Sequence, residues 1–238
     1  MTTDSLSTLR ASVLEANVEI ARRGLAPFTF GNVSGIDRTL GVVVIKPSGV
    51  AYESLSAENL VVTDLAGAVV DGSLRPSSDL ETHLVLYRAF ESIGGIVHTH
   101  SHFATVWAQS CREIPCLGTT HADYFHGAIP ITSHLTRDEV DGEYEANTGH
   151  AIRRRFVGVD PLRMPAVLVA GHASFCWGRD VGAALETASI LEEVARMAYH
   201  TVVLNAAAEP IPEPLLDKHF FRKHGDAAYY GQPNASSG

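Results

Sequence analysis

The sequence lacks the features of a secreted or membrane protein. No uninterrupted apolar run approaches the length of a membrane span, and the opening residues Met-Thr-Thr-Asp-Ser-Leu-Ser-Thr contain no basic region followed by an apolar core. Positive charge is also scarce, because the formal net charge is -9 at pH 7 with acidic and basic residues interspersed. This balance argues against binding to nucleic acid or to an anionic membrane. We therefore expect a cytoplasmic protein with neither as a partner.

Cysteine is rare as well. Cys111, Cys116 and Cys176 are an odd number of thiols without zinc-ribbon spacing, so we expect reduced cysteines that mostly pack and do not bind metal. The chain also has no internal repeat, low-complexity tract or clear linker, and its 238 residues, 45% of them hydrophobic, suffice for one core. We expect one domain over residues 1–232 and a disordered tail over residues 233–238.

The apolar pattern predicts a mixed order of helices and strands. Helical spacing occurs at about residues 7–23, 102–110, 137–157, 181–204 and 215–224, and a further helix is expected after Pro76, where Ser78 and Glu81 have capping-box spacing. Strand patterns occur at about residues 29–34, 41–46, 60–64, 95–100 and 166–170. Several strands follow one another without a crossover helix. The order therefore predicts an α/β domain with a central, mostly antiparallel sheet and helices on both faces.

Two histidines end the apolar run Gly-Ile-Val-His-Thr-His. In an extended chain, the side chains of His98 and His100 point to the same face. Two neutral imidazoles can bind a divalent cation, and Asp79 and His172 are available as further ligands. Each residue also has an ordinary structural explanation: core histidines on a half-buried strand, a carboxylate in the first turn of a helix, and a histidine that donates to a carbonyl.

Three short segments, at residues 31–34, 46–49 and 76–78, combine small residues with hydroxyl or amide donors. Small residues let backbone amides approach an anion, and Ser77 and Ser78 precede a predicted helix, whose amino end favours phosphate. Taken singly, each segment is also an ordinary turn. A predicted loop holds His121 and Asp123, and the paired tyrosines near the end of the chain would by composition only dock a tail.

These motifs occur together in an informative order. Gly-Asn-Val-Ser from Gly31, Lys-Pro-Ser-Gly from Lys46, Pro-Ser-Ser-Asp from Pro76, His-Thr-His from His98, and Gly-Thr-Thr-His-Ala-Asp-Tyr from Gly118 are followed by an ending that contains Lys-His, Arg-Lys-His-Gly and Tyr-Tyr-Gly-Gln. In this order they resemble the sugar-phosphate 4-epimerases of the class II aldolase and adducin head family. The likeness runs from about residue 6 to residue 232.

The resemblance implies a role for each matched residue. Asp79, His98, His100 and His172 correspond to ligands of one divalent metal ion per subunit, expected to be zinc. The substrate and phosphate contacts correspond to Gly31, Asn32, Ser48, Gly49, Ser77 and Ser78, with Lys46 and His219 also near the substrate. Asp123 and Tyr230 match an acid/base pair. In that family a neighbouring subunit of a four-fold symmetric tetramer supplies this pair, so the resemblance also implies a homotetramer with shared active sites.

The resemblance also implies a reaction, the interconversion of L-ribulose 5-phosphate and D-xylulose 5-phosphate in arabinose catabolism. Inversion at carbon 4 cannot proceed by removal of its hydrogen, because that carbon is not adjacent to the carbonyl. Cleavage of the bond between carbons 3 and 4 is required instead, and a metal ion would act as a Lewis acid for the resulting enediolate. The aldehyde fragment then turns and recombines through its other face.

Three alternatives remain open at this point. A fuculose-phosphate-type class II aldolase would perform only the cleavage, but its motifs have glutamate in place of Asp79 and His-Asn-His in place of His-Thr-His. A non-catalytic adducin-like interaction module would have lost the metal histidines, and a metal-dependent hydrolase would leave Asp123 and Tyr230 unexplained. One departure from the family pattern is Ala173-Ser174, where Gly-Pro usually follows the histidine that corresponds to His172.

Overall fold

Seven strands form a single sheet in the computed structural model, which describes residues 2–224 and 228–230. The strands are β1 (Asn32–Asp37), β2 (Val42–Ile45), β3 (Val61–Asp64), β4 (Val69–Asp71), β5 (Gly95–Thr99), β6 (Ala166–Leu168) and β7 (Ser174–Gly178). Their order across the sheet is β4-β3-β2-β1-β5-β7-β6, and every neighbouring pair is antiparallel. The predicted antiparallel sheet is confirmed.

The helices connect and cover this sheet. They are α1 (Thr2–Arg22), α2 (Leu80–Ala89), α3 (His102–Gln109), α4 (Thr119–Ala122), α5 (Arg137–Asp141), α6 (Tyr144–Arg155), α7 (Val181–Leu204) and α8 (Glu213–Phe221). Within the described part of the chain, none of them combines the length and apolar character that a membrane crossing requires.

Helices lie on both faces of the sheet, as predicted. Adjacent residues of β1 point in opposite directions. On one face, Ser34 contacts α2 through hydrogen bonds to His83 and Tyr87. On the other, the backbone of Gly35 lies so close to α1 and α7 that an added Cβ would be 2.6 Å from a Val181 methyl group. The β1 and β5 residues on the α2 face include Asn32 and His98, so this is the face that carries the candidate site.

A row of glycines explains how closely α7 approaches the sheet. Gly35 pairs with Gly95, which pairs with Gly178 across three neighbouring strands. A Cβ at Gly95 would lie 2.6 Å from the Val181 Cα, and one at Gly178 would lie 2.6 Å from the Ala183 Cβ. Because real side chains do not tolerate such distances, these positions favour glycine and allow the first turn of α7 to pack on the sheet.

Several predicted boundaries differ from the structure. Two strands, β4 and β7, are additional, and α4 replaces a predicted loop. The predicted helix at 137–157 is two helices, because the chain breaks after Asp141. The capping box is wrong: Asp79 rather than Ser78 precedes α2, and its side chain makes no capping hydrogen bond. The predicted tail at 233–238 lies outside the described residues.

Candidate active site

A cleft of about 430 Å³ opens at the sheet edge where β1 begins and β5 ends. We call it the imidazole cleft. Its lining consists of residues from β1, β5 and the loops beside them, namely Thr29, Phe30, Gly31, Asn32, Lys46, Pro47, Ser48, Gly49, Ser77, Ser78, Asp79, His98, His100, Tyr144, Glu145 and His172. All four predicted metal ligands and the predicted phosphate contacts lie here. The predicted residues Asp123, His219 and Tyr230 do not.

The His98 side chain is fixed by the sheet. Its Nδ1 lies 2.9 Å from the Ser174 carbonyl oxygen on β7, and its ring stacks on Phe175 with 4.2 Å between centroids. A carbonyl can only accept, so Nδ1 is the protonated nitrogen and Nε2 keeps its lone pair. A histidine oriented in this way is a typical metal ligand whose outer hydrogen bond selects the tautomer.

His100 and His172 complete a group of three imidazoles. One ring nitrogen from each of His98, His100 and His172 lies within 4.8 Å of the others. Burial lowers the pKa of His98 and His100, and it lowers the pKa of His172 to about 4. The rings are therefore neutral near pH 7, which is the state that binds a cation. This group could hold a metal ion.

Asp79 lies beside the imidazoles without belonging to that group of three. Its Oδ2 is 3.9 Å from His98 Nε2 and accepts a hydrogen bond of 2.7 Å from the Asn32 amide. Burial alone would raise the pKa of Asp79, but the neighbouring imidazoles, His98 foremost, and the Asn32 amide bring it below its ordinary value. A carboxylate beside three imidazole nitrogens is a donor set that suits a divalent cation.

Lys46 and the segment around Ser77 line the other end of the imidazole cleft. The Ser77 amide donates to the Lys46 carbonyl over 2.9 Å, which joins two of the predicted phosphate segments. Lys46 is 2% exposed, and its ammonium donates to the Pro47 carbonyl over 3.3 Å and lies 5.0 Å from the Tyr52 ring centroid. Burial lowers the pKa of Lys46. No ion pair to Lys46 is found among residues 2–224 and 228–230, so a bound anion would compensate its charge.

The remaining predicted residues, Asp123, His219 and Tyr230, lie in a second group together with Arg222 and Lys223, and we call this group the Asp123 cluster. Asp123 follows α4 and contacts α8, where its carboxylate accepts hydrogen bonds from His219 Nδ1 at 2.9 Å and from Arg222 at 3.0 and 2.8 Å. Tyr230 is 61% exposed, with its ring beside Arg222 and Lys223. Within one chain, therefore, the two groups of predicted site residues are separate.

The turn after β6 accommodates the Ala173-Ser174 departure. Val169 donates to the Ala173 carbonyl over 2.8 Å, and the His172 amide donates to Val169 over 3.0 Å, which closes a tight turn. Ser174 then enters β7, where its carbonyl orients His98 and its hydroxyl donates to the Thr99 carbonyl over 3.2 Å. The departure thus leaves the backbone contact of His98 intact.

Tyr144 and Glu145 are cleft residues that sequence reasoning missed. They begin α6, and the Tyr144 hydroxyl lies 3.5 Å from His172 Nδ1. The polar pattern over residues 137–157 is continuous and predicts a single helix. It gives no sign of the break between α5 and α6, after which these two side chains face the cleft. Glycine at position 142 was the available signal for a helix end.

Comparisons with known proteins agree with this architecture. The family model described as Class II Aldolase and Adducin N-terminal domain matches residues 11–199. The L-ribulose-5-phosphate 4-epimerase UlaF of Salmonella paratyphi B is 53% identical over 227 residues, which cover 95% of this chain and 100% of the relative. The corresponding protein of Salmonella paratyphi C is 52% identical over the same shares. A solved L-fuculose 1-phosphate aldolase has the same fold, with a TM-score of 0.77, 22% identity, and coverage of 90% of this chain and 95% of that one.

Proposed function

The chain belongs to the class II aldolase and adducin family, and on that premise we propose that it is a metal-dependent epimerase that interconverts L-ribulose 5-phosphate and D-xylulose 5-phosphate. The observation that carries this proposal is the imidazole cleft, which joins a neutral three-histidine group to a buried lysine that has no ion pair within the described part of the chain. A phosphorylated sugar has both an oxygen-rich end for a cation and an anionic end for the lysine. The two Salmonella relatives bear the name of this reaction.

His98, His100, His172 and Asp79 would hold one divalent ion, which we propose to be zinc, because three imidazoles and a carboxylate suit its coordination. When bound, the ion supplies a Lewis acid for the negative charge that retro-aldol cleavage leaves on the sugar. The protein's own contribution at this end is orientation. The Ser174 carbonyl fixes the His98 tautomer, and the Asn32 amide fixes the Asp79 carboxylate.

The phosphate would bind at the other end of the cleft. Lys46 offers a buried cation, and the hydroxyls and amides of Ser48, Gly49, Ser77 and Ser78 surround the same space. Ser77 and Ser78 precede α2, whose amino end attracts anions. Anchoring by the phosphate keeps the aldehyde fragment in the cleft while it turns, with Gly31 and Asn32 beside the sugar.

Proton transfer at the carbon 4 oxygen needs a partner on each side, and we assign these roles to Asp123 and Tyr230. Neither lines the cleft of its own chain, and the Tyr230 side chain is 61% exposed. A second copy of the chain would therefore supply them, with His219 beside Asp123, in a homotetramer with shared sites. The three free cysteines fit the proposed cytoplasmic location of such an enzyme.

A coupled assay tests the proposal directly. Metal-loaded protein is incubated with L-ribulose 5-phosphate, and the formation of D-xylulose 5-phosphate is followed. Epimerisation is the expected result. Release of free glycolaldehyde phosphate without the epimer would instead indicate the aldolase alternative, and absence of both reactions in metal-loaded protein would contradict an enzyme of either kind.

A further inference from the structure

We propose that Arg222 is a positioning residue that joins Asp123 and Tyr230 into one unit and sets the geometry of proton transfer. The inference rests on the proposed function for the reaction itself, but its structural basis is independent of any activity. Arg222 stands at the end of α8, and its side chain and backbone make separate contacts to the two members of the pair.

The guanidinium of Arg222 binds the Asp123 carboxylate in a bidentate manner, with one nitrogen donating to each carboxylate oxygen. Nε donates to Oδ1 over 3.0 Å and Nη2 donates to Oδ2 over 2.8 Å, while His219 adds a bond of 2.9 Å to Oδ1. Two parallel charge-assisted bonds fix the plane of the carboxylate as well as its position. Lysine offers no such fork, because its ammonium is a single point charge.

The same residue holds the tyrosine segment. The backbone amides of Tyr229 and Tyr230 donate to the Arg222 carbonyl over 3.0 and 2.9 Å. The Arg222 guanidinium lies 4.9 Å from the Tyr230 ring centroid, and the Lys223 ammonium lies 4.5 Å from it. Both distances are within the range of cation–π attraction. The exposed Tyr230 ring is thus oriented by two cations from one turn of chain.

These contacts predict how the chemistry depends on Arg222. Burial alone would raise the pKa of Asp123, but the hydrogen bonds from Arg222 and His219 and the charge of Lys223 hold it below its ordinary value. The hydrogen bonds from Arg222 are the largest of these contributions that lower the pKa of Asp123. Loss of the Arg222 guanidinium should therefore raise this pKa. The acidic limb of the epimerase pH profile should then move to higher pH, since Asp123 remains protonated further up the scale.

The test compares Arg222→Gln and Arg222→Lys with the matched control Arg163→Gln. The Arg163 guanidinium also lies over an aromatic ring of α8, 5.5 Å from the Phe221 ring centroid, but within the described part of the chain its side chain makes no hydrogen bond, ion pair or cation–π contact with Asp123 or Tyr230. Four readouts are used: metal content, the aldol reaction of dihydroxyacetone with glycolaldehyde phosphate, the pH profile of epimerisation, and amide hydrogen exchange of the peptide that contains Tyr229 and Tyr230.

For Arg222→Gln we expect unchanged metal content and retained aldol reaction, a kcat for epimerisation lower by up to about a hundred-fold, and faster exchange of the tyrosine amides. In Arg222→Lys, the acidic limb should stay near that of the wild type while kcat remains reduced, which separates charge from geometry. Arg163→Gln should match the wild type throughout.

An Arg222→Gln variant with wild-type kcat, pH profile and exchange would overturn the proposal. Wild-type protein that does not epimerise would instead refute the proposed function. Hydrogen exchange would still decide the role of Arg222 in that case, because it needs no turnover. If Arg222→Gln fails to fold, Arg222→Lys provides the same decision, since wild-type kcat in that variant would exclude a need for the fork.

Discussion

The imidazole cleft and the Asp123 cluster are built in different ways. In the cleft, strand register places His98 between Asn32 and Phe175, and the His98 side chain is 2% exposed. The Asp123 cluster instead gathers residues about a hundred positions apart around one carboxylate, and Tyr230 at its edge is 61% exposed. The difference fits the proposed division of the enzyme into a buried half that would bind metal and phosphate and a surface half that would act on a neighbouring copy. Substitutions in the cleft and in the Asp123 cluster should therefore have different effects on metal content, aldol reaction and epimerisation.

The largest effect should follow from the double variant His98→Ala, His100→Ala. Purified wild-type protein should contain about one divalent ion per chain, because the imidazoles and Asp79 form a sufficient ligand set. The double variant should lose this ion together with both the epimerase and the aldol reactions. Elemental analysis after mild dialysis measures the metal. If the metal content does not change while the fold is merely less stable, His98 and His100 are core histidines and the cleft does not bind metal.

The next effect should fall on the other half alone. Tyr230→Phe should nearly abolish epimerisation, since loss of one acid/base group typically costs about two to four orders of magnitude in rate. Metal content should stay intact, and some aldol reaction between dihydroxyacetone and glycolaldehyde phosphate should survive, because cleavage depends chiefly on the cleft. Tyr229→Phe is the matched control, since that neighbouring ring is equally exposed but has no assigned proton. Equal loss of both reactions in Tyr230→Phe would contradict the separation.

Hybrid oligomers sharpen this comparison further. Subunits with Tyr230→Phe have an intact cleft, and subunits with His98→Ala have an intact tyrosine. When the two inactive proteins are mixed and subunit exchange is verified by mass spectrometry, some activity should return at interfaces that combine the intact halves. No recovery after verified exchange would mean that Tyr230 acts within its own chain or has no part in the reaction.

The two halves also differ in how far the sequence could predict them. The strand pattern around His98 and the three phosphate segments predicted the residues of the cleft, because pairing of neighbouring strands brings these positions together at one end of the sheet. The family order named Asp123 and Tyr230, but neither period nor spacing indicated that Asp123 would contact α8, because that contact joins residues 96 to 101 positions apart. The short strand β4 was not predicted, because its valines are exposed and give no buried pattern. The place of Tyr144 in the cleft was not predicted either, because it depends on the packing of α6 against α2.

A smaller effect is expected for the phosphate end of the cleft. The double variant Ser77→Ala, Ser78→Ala should weaken the binding of phosphorylated substrate by a few kcal/mol at most, because each charge-assisted hydrogen bond contributes about 1.5 to 3 kcal/mol. Binding of free L-ribulose should hardly change. The ratio of KM values for the two sugars is the measurement, and equal losses for both would place the phosphate elsewhere.

The single variant Ser78→Ala is the cleaner version of this experiment. The Ser77 hydroxyl already accepts hydrogen bonds from the Asn32 amide at 3.0 Å and the Asp79 backbone amide at 3.3 Å, so its loss would also disturb Asp79. Ser78 is exposed. A phosphate-specific loss in Ser78→Ala with unchanged metal content would therefore assign the anion site without involving the metal ligands.

The smallest effect concerns the pH dependence of the stability of the fold, at a buried histidine on α4 next to the Asp123 cluster. His121 on α4 is buried, its Nε2 donates to the Gly127 carbonyl over 2.8 Å, and burial lowers its pKa to about 4. In the unfolded chain the same imidazole titrates near pH 6.5, as an unperturbed histidine does. As the pH falls from about 6.5 to about 4, the unfolded state therefore binds a proton that the folded state excludes, and stability decreases; at neutral pH this cost is absent.

Between pH 7 and pH 5 this single group should reduce the free energy of unfolding by about 2 kcal/mol. His121→Gln keeps an amide that can donate to Gly127 but cannot titrate, so urea denaturation should show a weaker pH dependence for it over this interval. His102→Gln, at an exposed histidine, should retain the wild-type dependence. The metal content at neutral pH should be unchanged, because the proposed metal ligands lie on other elements than His121. If His121→Gln has the full wild-type dependence, the acid sensitivity of the fold arises elsewhere, and the buried histidines of the cleft become the next group to test.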